Sequence, residues 1–138
     1  MELQKYYDMV EASLQDLGLV PEETRGDKPG QWNLLKGSAN IMIDIFTMEN
    51  GWSYFQCIAP IVKIPDDRKI EFYEEILEKN HQLFGVAMTK FKNHIYIKNI
   101  RELENINKSE ILAQIKRIGN YADEFDDYYK NKYENKDA

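Results

Sequence analysis

Cysteine is almost missing from this chain: Cys57 stands alone, so no internal disulfide can staple the fold. Histidine is nearly as scarce, with His81 and His94 the only side chains whose ordinary titration falls near neutral pH. One cysteine and two separated histidines lack the clustered spacing of a zinc site. Neither histidine lies in a motif that would set it beside a Ser, Cys or Lys nucleophile. No apolar run approaches the roughly 20 residues needed to cross a bilayer, and the opening MELQKYYDMV lacks the basic and then apolar layout of a secretory signal. No Gly-rich strand-to-helix turn is present to cradle a phosphate. Basic charge is in deficit too: 18 Lys and Arg are dispersed among 24 Asp and Glu, a net charge of −6 that disfavours a nucleic-acid backbone as main partner. These absences predict a cytoplasmic protein with no cofactor, no metal, no membrane insertion and no catalytic motif.

What is present suits one domain spanning residues 1–138, large enough to fold on its own core, with 134–138 expected to fray. Leu3, Tyr6, Tyr7, Val10, Leu14 and Leu17 recur at helical spacing and stop before Gly18. The segment VPEETRGDKPGQ that follows carries two prolines, two glycines and five charges, which favour a surface loop. Trp32, Leu34 and Leu35 open a strand that Gly37-Ser38 turns into the most informative stretch of the chain, Gly37 to Pro65.

Within that stretch Asn50-Gly51 separates two apolar runs and predicts a hairpin with a two-residue turn, Glu49 facing Trp52. This register puts Ile41, Ile43, Ile45, Thr47, Tyr54, Gln56 and Ile58 on one face. Met42, Asp44, Phe46, Met48, Ser53, Phe55, Cys57 and Ala59 take the other. Both faces are apolar, unlike a sheet with one solvated side, so two covers are required.

Pro65-Asp66-Asp67 ends the third strand and offers an Asp cap to a helix whose face reads Ile70, Tyr73, Ile76 and Leu77. A second hairpin turns at Lys92-Asn93, with Val86, Met88, Ile95 and Ile97 on one face and Thr89, Tyr96 and Lys98 on the other. The last helix starts at Asn107 or Ser109 with a capping box to Glu110, and its stripe runs Ile111, Ile115, Ile118, Ala122, Phe125, Tyr129. Asp123, Glu124, Asp126 and Asp127 fan around that helix as a solvated face and do not converge on a cation. The fold class is therefore α+β: an antiparallel sheet of about five strands in the order helix, three strands, helix, two strands, helix.

That element order resembles the fold of class I type III secretion chaperones. A closer pattern is similar to YbjN-like proteins: Trp32-Asn33-Leu34-Leu35-Lys36-Gly37-Ser38, Tyr54-Phe55 to Ala59-Pro60, Phe72-Tyr73 to Leu77 with Asn80, Asn93 to Ile97, and Tyr121-Ala122-Asp123-Glu124 to Tyr128. The resemblance implies an α+β domain, a small acidic homodimer that wraps a partner segment, and a regulatory role without catalytic residues.

Two functions follow as expectations. In the first, a non-catalytic module, chaperone-like or regulatory, binds a protein partner or a second copy through Met42, Phe46, Met48 and Phe55, adaptable apolar side chains suited to such contact. In the second, a small-molecule sensor or enzyme uses a pocket between sheet and helices lined by Trp52, Tyr54, His81, His94 and Tyr96. Cys57, mid-strand with no basic neighbour in sequence, reads as a packing residue in either case.

Overall fold

The computed structural model describes residues 2–134. Four α-helices, α1 (Gln4–Asp16), α2 (Pro21–Thr24), α3 (Lys69–Asn80) and α4 (Lys108–Tyr129), accompany five strands: β1 (Gln31–Lys36), β2 (Ala39–Thr47), β3 (Ser53–Lys63), β4 (Ala87–Phe91) and β5 (His94–Glu102). All neighbours pair antiparallel in the order β1-β2-β3-β5-β4, which confirms the predicted α+β class. Of the tail expected to fray, only Glu134 belongs to the described residues, and it closes a π-helical turn, Lys130–Glu134, that continues α4.

The helices α1, α3 and α4 share one core with a single side of the sheet. Their buried side chains join Ile41, Ile43, Ile45, Phe55, Cys57, Ala59, Ile95 and Ile97 in one cluster. The long helix α4 lies mainly over β3, where Cys57 and Ala59 are small enough to admit it. Its predicted stripe is buried along its whole length, and its capping box forms: Glu110 N–H donates to Asn107 Oδ1 at 2.9 Å and Asn107 N–H to Glu110 Oε1 at 3.1 Å. Gly119 allows close approach to the β1–β2 turn, since a Cβ there would sit 2.7 Å from Lys36 Cδ and 3.2 Å from Ile41 Cδ1.

The first hairpin departs from the predicted register by one residue. Gly51 N–H donates to Met48 O at 2.9 Å and Met48 N–H to Trp52 O at 2.8 Å, so the loop is Glu49-Asn50-Gly51, with Gly51 at φ +90°. This is a type I turn closed by a glycine bulge, the usual three-residue hairpin loop. An odd loop pairs Thr47 with Ser53 and Ile45 with Phe55, and that flips β3 relative to the two-residue expectation. Phe55, Cys57 and Ala59 therefore face the core with Ile41, Ile43 and Ile45, while Tyr54, Gln56 and Ile58 share the other face with Met42, Asp44 and Phe46. The second hairpin has the predicted Lys92-Asn93 turn, which pairs Phe91 with His94, Met88 with Ile97 and Thr89 with Tyr96.

Three further expectations are corrected. The charged segment after α1 contains the short helix α2, whose Pro21 and Thr24 are buried, with Thr24 Oγ1 donating to Pro21 O at 2.7 Å. In α3 no Asp caps the N-terminus; Arg68 takes that position at φ +56°. The buried pair of α3 is Phe72 and Ile76, because Phe72 meets the rings of Tyr129 and Tyr133 at 6.0 and 4.9 Å. Ile70 and Leu77, expected on the buried side, are 78% and 68% exposed.

The register is checkable on one strand. Ile97→Ala, on the core face of β5, should cost about 2–5 kcal/mol in urea unfolding. Ile100→Ala, on the opposite face, should stay within about 0.5 kcal/mol.

Candidate partner-binding surface

Because every long helix packs on one side, the other side of the sheet has no cover among the described residues. Its composition follows from the register, read across the strands. One row runs Phe46, Tyr54, Glu102; the next runs Gln31, Asp44, Gln56, Ile100; a third runs Asn33, Met42, Ile58, Lys98, Ala87. Beyond these lie Leu35, Pro60 and Tyr96. The rings of Phe46 and Tyr54 pack against each other with centroids 5.8 Å apart. Asp44 thus stands between Met42 and Phe46 along its strand and between Gln31 and Gln56 across the sheet. Loss of water pushes its carboxyl above the ordinary carboxylate range, although the side-chain amides of Gln31 and Gln56 favour the charge.

The expected binding residues separate on this map. Met42 and Phe46 lie on the outer face, half-buried by their in-sheet neighbours, and Met48 is exposed where the hairpin turns. Phe55 is fully buried in the core and does not belong to the surface; the one-residue register error placed it there. Tyr54, Ile58 and Ile100 are the outer-face residues that the predicted register missed as partners of Met42 and Phe46, and the odd hairpin loop is the signal that would have found them.

Of the five residues of the expected pocket, His94 and Tyr96 meet with ring centroids 6.4 Å apart, but the five do not line one pocket. Trp52 is exposed at the hairpin tip, His81 at the end of α3 and His94 at the start of β5, whereas Tyr54 and Tyr96 lie on the outer sheet face. A groove of about 390 Å³ beside His94 is lined by Ser38, Asn40, Pro60, Lys63, Asp126 and Lys130 among others, with none of the remaining four. Cys57 is buried, and burial pushes its thiol far up, as befits a packing residue. Asp123 and Asp126, from the acidic run on α4, are engaged by Ser38 and Lys130, the latter at 2.7 Å.

The sheet edges differ in availability. Asn80, at the end of α3, engages the outer edge of β4 at Met88: its Nδ2 donates to Met88 O at 3.1 Å and its Oδ1 accepts from Met88 N–H at 2.7 Å. At the other edge Gly26 N–H donates to Gln31 O at 2.7 Å and Arg25 bridges to Trp32, so β1 is open only from Asn33 onward. Glu11 fixes this corner, accepting from Arg25 Nε at 2.7 Å and Trp32 Nε1 at 3.1 Å; the Arg25 bond holds its carboxyl below the usual range. Ile70 and Leu77, seven residues apart on α3, are exposed, and so is Phe84 in the segment leading to β4.

No family model matches the sequence, and no curated protein matches it. Among solved structures the fold is similar to a chain of the ExsC–ExsE complex, with a TM-score of 0.66 and 11% identity over 92% of this chain and 96% of that one. It is similar to a chain of the HopA1–SchA chaperone–effector complex at a TM-score of 0.66 and 8% identity, covering 92% and 98%. The Yersinia pestis type III secretion chaperone SycH, solved with a stable fragment of YscM2, gives 0.61 and 13%, covering 87% and 98%. At such identities the likeness concerns architecture alone: this chain shares the α+β fold of those solved chains.

Two carboxylates should shift stability with pH in opposite senses. Water loss opposes the charge of Glu75, but hydrogen bonds from Tyr128, Tyr133 and Lys132 outweigh it and leave the carboxyl below its ordinary range. Its contribution is present above the ordinary Glu value and is lost as pH falls through the depressed one. Glu75→Gln should therefore lower the melting temperature at pH 7 and converge on the parent under acid conditions. For Asp44, whose folded value is raised, the penalty exists above that value and disappears as pH falls through it, so Asp44→Asn should raise the melting temperature at pH 7 and converge likewise.

Proposed function

We propose that this protein is a non-catalytic binding module, chaperone-like or regulatory, that holds a segment of a partner protein on the outer face of its sheet. The observation that carries the reading is the uncovered face itself, where Met42, Phe46, Tyr54, Ile58 and Ile100 stay at least partly accessible beside Asp44. An apolar sheet face gains free energy when a further layer covers it. The open part of β1 gives an adjoining edge to which an extended segment could add a strand. The architecture it shares with chains solved in chaperone–effector complexes supports the same reading. The YbjN-like sequence pattern supports a regulatory setting; among the described residues no helix is long and apolar enough to cross a membrane.

Self-association is assigned to a different surface. Ile70 and Leu77 on α3 and Phe84 in the segment leading to β4 lie away from the outer face and suit a homodimer between copies of α3. Leu77→Asp with Phe84→Asp should convert a dimer to a monomer by light scattering and leave partner binding on the sheet in place.

The main test replaces Phe46 with a photo-crosslinking phenylalanine analogue in the native cell, identifies the attached protein, and measures its affinity for the purified chain. Phe46→Asp combined with Met42→Asp should weaken that binding at least tenfold without changing the melting temperature by more than a few degrees. Unchanged affinity, or a chain that crosslinks to nothing, would overturn the reading.

A further inference from the structure

Asp44 is out of keeping with the surface around it. Along β2 it stands between Met42 and Phe46, and across the strands its neighbours are the uncharged Gln31 and Gln56. It makes none of the ion pairs found among the described residues. The basic residue of the face nearest in register, Lys98, is two strands away and one row along, about 12 Å by strand spacing and rise. While the face is open, water still reaches the carboxylate. Once an apolar partner covers it, that water is expelled, and an unpaired carboxylate in such a place is strongly disfavoured.

We propose that Asp44 selects the partner of the outer face: an amphipathic helix of another protein that carries one arginine within its apolar stripe. The proposal rests on the binding reading above and deepens it. A planar guanidinium can take the carboxylate in two parallel hydrogen bonds, while leucine-like side chains one helical turn to either side cover Met42 and Phe46. The spacing agrees, since positions four apart on a helix rise about 6 Å and alternate residues of a strand about 6.8 Å. A second copy of this chain is a poor occupant of the face, because a two-fold contact would bring the same carboxylate and a further −6 charge against it. Helices without the cation would cover the Asp44 charge with only the uncharged Gln31 and Gln56 amides as partners, so the residue supplies discrimination more than raw affinity.

The test uses the full chain and three fluorescein-labelled synthetic helices with a leucine stripe and an otherwise uncharged polar face. They differ at one central stripe position: arginine, norleucine or glutamate. Anisotropy titrations should show the arginine peptide binding about tenfold or more tightly than the other two, with the advantage shrinking as salt rises. Asp44→Asn should abolish the preference and Asp44→Glu should keep it. Equal binding of the arginine and norleucine peptides would overturn the role of Asp44 while leaving the face as a docking surface. Binding of none of the three would overturn both.

Discussion

Burial of the α4 stripe against the core face of β3 is the contact from which the other placements follow. The three isoleucines Ile111, Ile115 and Ile118, continued by Ala122, Phe125 and Tyr129, approach the sheet because β3 presents Cys57 and Ala59 beneath them and Gly119 clears the β1–β2 turn. With α4 seated, α1 is fixed beside it through Tyr6, Val10 and Leu14, and the aromatic end of α4 gathers Phe72 of α3. The buried faces of α1, α3 and α4 all meet on that one side, and α3 keeps Ile70 and Leu77 exposed. The opposite side of the sheet is left with its in-plane neighbours alone.

Much of this was legible in the sequence because it depends on local signals. The 3.6-residue periodicity of α4, its Asn107–Glu110 box, the tight Lys92-Asn93 turn and the five-strand order each follow from residues close together in the chain. The site was less legible because it depends on parity across a turn. Asn50-Gly51 signals a hairpin whether the loop holds two residues or three, and only hydrogen bonding at Met48 separates them. That one-residue difference moved Phe55 into the core and brought Tyr54 and Ile58 beside Met42 and Phe46. The orientation of α3 was hidden for another reason: its apolar residues outnumber the positions that α4 can cover, and Phe72 won the contact through the rings of Tyr129 and Tyr133.

The distribution of free surfaces has a simple logic. Asn80 engages the β4 edge at Met88 with its own amide, and the Gly26 and Arg25 backbone shields the start of β1, which restrains indiscriminate strand pairing. The outer sheet face and the exposed apolar residues on and after α3 stay accessible, belong to different layers, and do not share residues. A central carboxylate marks the first of these surfaces and none of the three apolar residues of the second, so the two differ in the chemistry they ask of whatever covers them.

The Glu49-Asn50-Gly51 loop has a consequence for how this chain can vary over evolutionary time. It holds Thr47 opposite Ser53, and that pairing sets which side of β3 looks inward. A mutation that slid the pairing by one residue would turn Phe55, Cys57 and Ala59 outward and Tyr54, Gln56 and Ile58 inward. Residues can be added at the tip as long as Thr47 stays opposite Ser53, so the constraint falls on the partner and not on the length of the loop.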